Sequence, residues 1–170
     1  MKMGDGEEEY DDDVGEKWAK HYSSNHQILL VGDGDFSFSL SLARSFGSAS
    51  NIVATSLDPY EVQGSQIEFG KLEKLEASLF HGVDATVMKC HAELRMRKFD
   101  RIIFNFPHAG FRGKEDNNLV IHHHRSLVHG FFWNARSMLR PRWRNSHESQ
   151  TTAPFCYWNL ETLASWIPWN

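Results

Sequence analysis

The chain of 170 residues has only two cysteines, Cys90 and Cys156, far apart and without a CxxC spacing. That scarcity excludes a disulfide-framed scaffold and a cysteine zinc site. No apolar run is long enough to span a bilayer, and acidic residues follow Met3 at once, where a secretory leader would need an apolar stretch. The expectation is a soluble, intracellular protein with no membrane partner. There is no internal repeat of solenoid type. Length fits one compact domain plus a tail.

Charge is unevenly spread. The net charge is -4, but Asp5, Glu7, Glu8, Glu9, Asp11, Asp12, Asp13 and Glu16 crowd the start. That run repels itself and has little to bury, so residues 1–22 read as an acidic, disordered tail and residues 23–170 as the folded domain. The body is slightly basic, most of all from Arg95 to Arg144. That excess suits either a nucleic-acid surface or an ordinary solvated one.

Apolar patterning then alternates between two kinds. Gln27–Val31 contains Ile28-Leu29-Leu30-Val31, a continuous run expected of a strand buried on both faces of a parallel sheet. Phe36, Leu40 and Ala43 recur at helical spacing, with Gly47 as the stop. Ile52–Leu57 reads as a second strand ended by Asp58-Pro59, and residues 61–77 as a polar helix. Ser78–Val83 reads as a third strand closed by Asp84, and Thr86–Arg97 as a short helix. Arg101–Phe106 reads as a fourth strand ended by Pro107. Leu119–Leu139 is the longest helix, with Val120, Leu127, Phe131, Ala135 and Met138 in one stripe. Strand–helix alternation of this kind predicts an α/β fold, a mostly parallel sheet with helices on both faces. A fifth strand is due after Pro141. Arg142–Gln150 has one large apolar residue and several charged ones, and cannot be a central strand without burying unpaired charge. Trp158–Trp166 reads as one more short helix.

A strand, the loop Gly32-Asp33-Gly34-Asp35-Phe36-Ser37 and a helix follow in direct succession. In such sheets ligands bind outside the carboxyl ends of the strands. Gly32 and Gly34 let the backbone approach a ligand closely. The third glycine of a dinucleotide fingerprint is missing, because Ser37 stands there. Asp33 and Asp35 would repel a pyrophosphate and suit a ligand with an amino group and a sulfonium. A nicotinamide-dependent oxidoreductase is therefore disfavoured. Asp58 ends the second strand, where an acidic side chain commonly accepts from ribose hydroxyls. Asp84 ends the third, where a carboxylate can meet an adenine amino group. Asn105-Phe106-Pro107-His108 ends the fourth, on the same rim. Each residue alone also reads as a turn or cap. The consecutive His122, His123 and His124 point in different directions on a helix, and two turns separate His122 from His129, so they make no metal ligand set.

Together these segments resemble a known family. Residues 28–39 look like the opening of the 25S ribosomal RNA uridine-N(3)-methyltransferase-like domain. Residues 53–58, 81–86 and 99–108 look like its later motifs in the same order. The likeness covers about residues 22–141, weakly resumes at Thr151–Ala164, and is nearest to plant members. It implies a Rossmann-like fold, S-adenosylmethionine as cofactor, and methylation of uridine in large-subunit ribosomal RNA, in the nucleolus or cytoplasm. By resemblance Gly32, Asp33, Gly34, Asp35, Phe36 and Ser37 cradle the methionine part, Asp58 holds the ribose and Asp84 the adenine. Asn105, Phe106, Pro107 and His108 face the target base. His108 is the nearest candidate base, and Phe106 or Phe36 could stack on the uracil. Asp33 departs from the family's usual Glu, keeping the charge on a shorter arm. Because Arg142–Gln150 replaces an expected strand, the C-terminal strands are incomplete by this reading. The alternative is then a truncated, catalytically inactive homologue that binds cofactor or RNA only.

Overall fold

A computed structural model of the chain describes residues 15–59, 66–105 and 118–141. Two short strands, β1 (Trp18–Ala19) and β2 (Tyr22–Ser23), form an antiparallel hairpin. Regular pairing thus begins inside the stretch that composition assigns to the tail. Four further strands form the main sheet: β3 (Ile28–Leu30), β4 (Ile52–Thr55), β5 (Ser78–Phe80) and β6 (Arg101–Ile103). All their pairings are parallel and the order is β5-β4-β3-β6. The chain therefore builds outward from β3 in one direction, then returns to place β6 on its other side. The gap between the carboxyl ends of β3 and β6 is the point where strand order reverses, which is where open α/β sheets bind ligands.

Side chains of successive strand residues point to opposite faces, and two separate cores result. Ile28, Leu30, Ile52 and Ala54 pack with Leu40, Ala43 and Phe46 of α1 (Ser37–Phe46) and with Leu72 of α2 (Gln66–Lys74). Leu29, Val31 and Val53 pack on the other face with Phe131, Ala135 and Met138 of α3 (Asn118–Met138). This is the expected three-layer α/β arrangement, consistent with a Rossmann-like methyltransferase fold. Ile28, Leu29 and Leu30 are all buried, which explains why β3 is apolar without alternation. Gly47 ends α1 at φ +80°, with its N–H on the Ala43 carbonyl, a backbone state that favours glycine.

One expected element differs. Thr86–Arg97 is not an α-helix but a 3₁₀ turn at Met88–Cys90 followed by further turns. The cause is tertiary. Asn134 of α3 accepts from the Lys89 N–H with its side-chain oxygen and donates to the Thr86 carbonyl at 2.6 Å. These bonds pin the segment at two points three residues apart. Gly130 lies so close that a Cβ there would stand 2.8 Å from Thr86. After α3, Leu139 pairs in parallel with Phe99, and the Arg140 N–H reaches the Phe99 carbonyl. The chain thus enters the position of a next strand beside β6 before Pro141. Arg142–Gln150 and the expected helix at Trp158–Trp166 lie outside the described residues.

Candidate functional site

The loop after β3 begins with Gly32 at φ +66°, and a Cβ on it would stand 2.8 Å from the Phe104 ring. Both facts demand glycine: the left-handed backbone and the close approach of the strand-end phenylalanine. The Asp33 N–H then bonds the Thr55 carbonyl, and the Phe36 N–H bonds the Asp33 carbonyl. Phe36 is itself left-handed at φ +57°, a costly state for a non-glycine residue. Its ring is fully buried, edge-on to Phe69 and to His81 at 6.0 and 5.5 Å. Burial of that ring offsets the backbone strain and fixes the loop. Phe36 therefore anchors the loop from behind, and its side chain is not available to stack on a base.

The two loop carboxylates do different work. Asp33 turns inward: one oxygen accepts from the Ser39 N–H at 2.8 Å and from the Ser39 hydroxyl at 2.5 Å. Burial pushes its pKa up, against the opposing effect of those bonds. Asp35 is exposed and accepts from the Ser37 N–H at 3.0 Å. That bond holds its carboxyl below the usual range. Each thereby satisfies a free N–H in the first turn of α1.

These residues line a cavity of about 360 Å³, within the span of about 300–1,000 Å³ usual for small-molecule sites. Its walls are the end of β3 (Leu30, Val31), the loop and first turn of α1 (Gly32, Asp33, Gly34, Asp35, Ser37, Phe38), and Ile103 with Asn105 from the end of β6. The cavity thus sits at the strand-order reversal. A Cβ on Gly34 would meet nothing within 4 Å, so this glycine leaves open space beside the wall it forms. Six residues expected at the site converge here: Gly32, Asp33, Gly34, Asp35, Ser37 and Asn105. Asp58 and Asp84 stand exposed after β4 and β5, on the same edge of the sheet but outside this cavity. Asp84 accepts from the N–H and hydroxyl of Thr86 at 2.8 and 2.7 Å with one oxygen. Phe106, Pro107 and His108 lie outside the described residues.

The sequence reading did not single out several residues that shape the site. Ser39 receives the Asp33 carboxylate. Phe104 closes against Gly32. His81 stacks on Phe69 at 5.4 Å, and its Nδ1 lies 2.9 Å from the Ser56 hydroxyl. That hydroxyl donates to the Asp58 carbonyl, so Ser56 and His81 set the backbone that presents Asp58. Ser39 gave no distinct signal, since Ser37, Ser39 and Ser41 all read as small helix residues and the left-handed turn at Phe36 decides which of them meets Asp33. His81 gave none either, because its partners come from three other segments. Among the described residues, no group of three His, Cys, Asp or Glu side chains is placed to hold a metal ion, and no helix is long and apolar enough to cross a membrane.

Comparison with known proteins adds the family. Residues 29–167 match the model of a family described as rRNA (uridine-N3-)-methyltransferase BTM5-like. Heavy metal-associated isoprenylated plant protein 41 of Arabidopsis thaliana is 56% identical over 155 residues, covering 88% of this chain but 30% of that protein. An uncharacterized protein of the same plant is 42% identical over 158 residues, covering 89% of this chain and 76% of its own length. The 25S rRNA (uridine(2634)-N(3))-methyltransferase of Saccharomyces cerevisiae is 24% identical over 143 residues, with 67% of this chain and 41% of the yeast protein aligned.

Proposed function

Because the chain belongs to the rRNA (uridine-N3-)-methyltransferase BTM5-like family, we propose that it uses S-adenosylmethionine to methylate N3 of a uridine in large-subunit ribosomal RNA, in the nucleolus or cytoplasm. The observation that carries this reading is the cavity at the reversal of strand order, walled by Gly32–Asp35, Ser37 and Asn105. When bound, S-adenosylmethionine supplies a methyl group on a positively charged sulfur. The chain's own residues supply placement. Asp35, held ionised by the Ser37 N–H, favours a cationic ligand over a pyrophosphate. The open space beside Gly34 admits the ligand to the backbone. Asp58 accepts from ribose hydroxyls and Asp84 from the adenine amino group.

At the target, uracil N3 carries a proton that must leave before or as the nitrogen attacks. His108 is the base in this proposal, Asn105 hydrogen-bonds the pairing edge, and Phe106 and Pro107 wall the base. The uridine has to be unpaired or turned out of its helix, because N3 lies on the pairing edge. Holding N3 in line with the methyl group and keeping water out are the principal contributions.

The test is transfer of labelled methyl from S-adenosylmethionine to ribosomal RNA lacking the modification. The full chain is expected to label uridine N3. Asp58→Ala lowers kcat/KM by about tenfold through weaker cofactor binding, and His108→Ala lowers kcat by about a hundredfold or more. Bound cofactor with no transfer to any ribosomal RNA would overturn the enzymatic reading. Unchanged turnover in His108→Ala would remove that residue from the mechanism.

A further inference from the structure

The outer face of α3 carries a constellation that the methyl-transfer site does not use. Arg125, His129, Trp133 and Arg136 follow at spacings of four, four and three residues. At 3.6 residues per turn they fall within about 80° of one another around the helix. Arg125, His129 and Trp133 are exposed. The Trp133 ring has two cations against it: the Arg136 guanidinium at 5.2 Å from the ring centroid and the Lys89 ammonium at 5.8 Å. Lys89 comes from the 3₁₀ turn that Asn134 pins to α3, so the fold brings this cation to the helix face. Lys98 adds another charge one turn on, donating to the Ser137 carbonyl. Arg140 does not belong to the set, since it pairs with Asp100 at 2.9 Å. Between Asn118 and Met138 the helix has no acidic residue.

Trp133 sits 48% exposed, while its neighbour Phe131 is buried in the core. A large ring presented to water among cations is what a planar, anionic partner would use. The placement of α3 adds direction. Its end adjoins Phe99, just before β6 begins, so its start lies toward the carboxyl ends of the strands, where the cavity is. The cationic stripe therefore runs along α3 in line with the strands, toward the sheet edge that carries their carboxyl ends.

We propose that this face binds a single-stranded segment of RNA next to the target site, one base stacking on Trp133 while Lys89, Arg125 and Arg136 meet phosphates. Stacking on an aromatic ring within a basic groove is the general mode of single-strand binding. An acidic peptide would satisfy the cations and leave the indole without a planar partner, whereas RNA offers both at each nucleotide. The choice of RNA rests on the methyltransferase reading above; the face itself is separate from the cofactor cavity.

Fluorescence anisotropy of a labelled oligouridylate with the full chain, across a salt series, tests this. Wild type is expected to bind with a marked salt dependence. Trp133→Ala weakens binding about tenfold with little change in salt slope, and Trp133→Phe restores most of it. Lys89→Gln and Arg125→Gln each flatten the slope by about 0.7. These are surface changes, and Arg125→Gln keeps the test open should a tryptophan variant fail to fold. Calorimetry with S-adenosylmethionine on the same variants is expected to be unchanged. RNA binding that depends on Trp133 and Arg125 without methyl transfer would sink the enzymatic reading and leave this face standing. Failure of wild type to bind, or binding indifferent to Trp133→Ala and Arg125→Gln, overturns the inference. Competition by polyglutamate equal to that by RNA, insensitive to Trp133→Ala, would also overturn it and assign the face to an acidic protein.

Discussion

Asp33 and Asp35 stand two residues apart in one loop and are driven in opposite directions. Burial raises the pKa of Asp33, so the folded state holds its proton more tightly than the unfolded chain does. That contribution to stability is complete below the ordinary aspartate value, about 3.9, and is lost as pH rises through the elevated folded value. Asp33→Asn removes the titration while keeping an oxygen for Ser39. Melting temperatures of wild type and Asp33→Asn, followed from acid to neutral pH, are therefore expected to move in the variant's favour as pH rises. Parallel curves would contradict the burial argument. The residue types at this loop were legible in the sequence, because two glycines and two carboxylates between a strand and a helix have few uses. The direction of each carboxylate was not. Asp33 faces Ser39 because Phe36 takes a left-handed turn and buries its ring, and that burial depends on Phe69 and His81 from distant segments.

Among the elements, β3 and α1 were the most legible. The run Ile28-Leu29-Leu30 has two cores to fill, and Gly47 marks the helix end. Thr86–Arg97 was the least legible. Its composition permits a helix, but Asn134 and Gly130 of α3 hold it as turns. Asn134 is buried and bonds the Thr86 and Gly130 carbonyls and the Lys89 N–H. Asn134→Ala leaves buried backbone groups without that partner and is expected to cost about 2–4 kcal/mol. At about 2–4 °C per kcal/mol for a chain of this size, the melting temperature falls by about 5–15 °C. A thermal melt checks this; a loss under about 1 kcal/mol would show that the turn is held by other contacts. The same substitution also releases Lys89 from its place beside Trp133, linking core packing to the cationic face.

At the scale of the whole molecule, the parallel sheet with a core on each face was predictable from strand–helix alternation, and the strand order was not. Order depends on which crossover packs where, and a single sequence carries little of that. Once β6 lies beside β3, the order places Gly32–Asp35, Ser37 and Asn105 on one cavity and leaves Asp58 and Asp84 on the adjoining strand ends. Polar residues at four successive strand ends were the signal that anticipated this edge. The central claim is that this cavity receives S-adenosylmethionine. Calorimetric titration of the full chain with S-adenosylmethionine and separately with NAD, using Gly34→Val to fill the open space beside the loop, tests it most directly. The account predicts saturable one-to-one binding of S-adenosylmethionine, weakened about tenfold or more by Gly34→Val without loss of the fold, and no comparable binding of NAD. Saturable binding of NAD with none of S-adenosylmethionine, or cofactor binding indifferent to Gly34→Val, would contradict it.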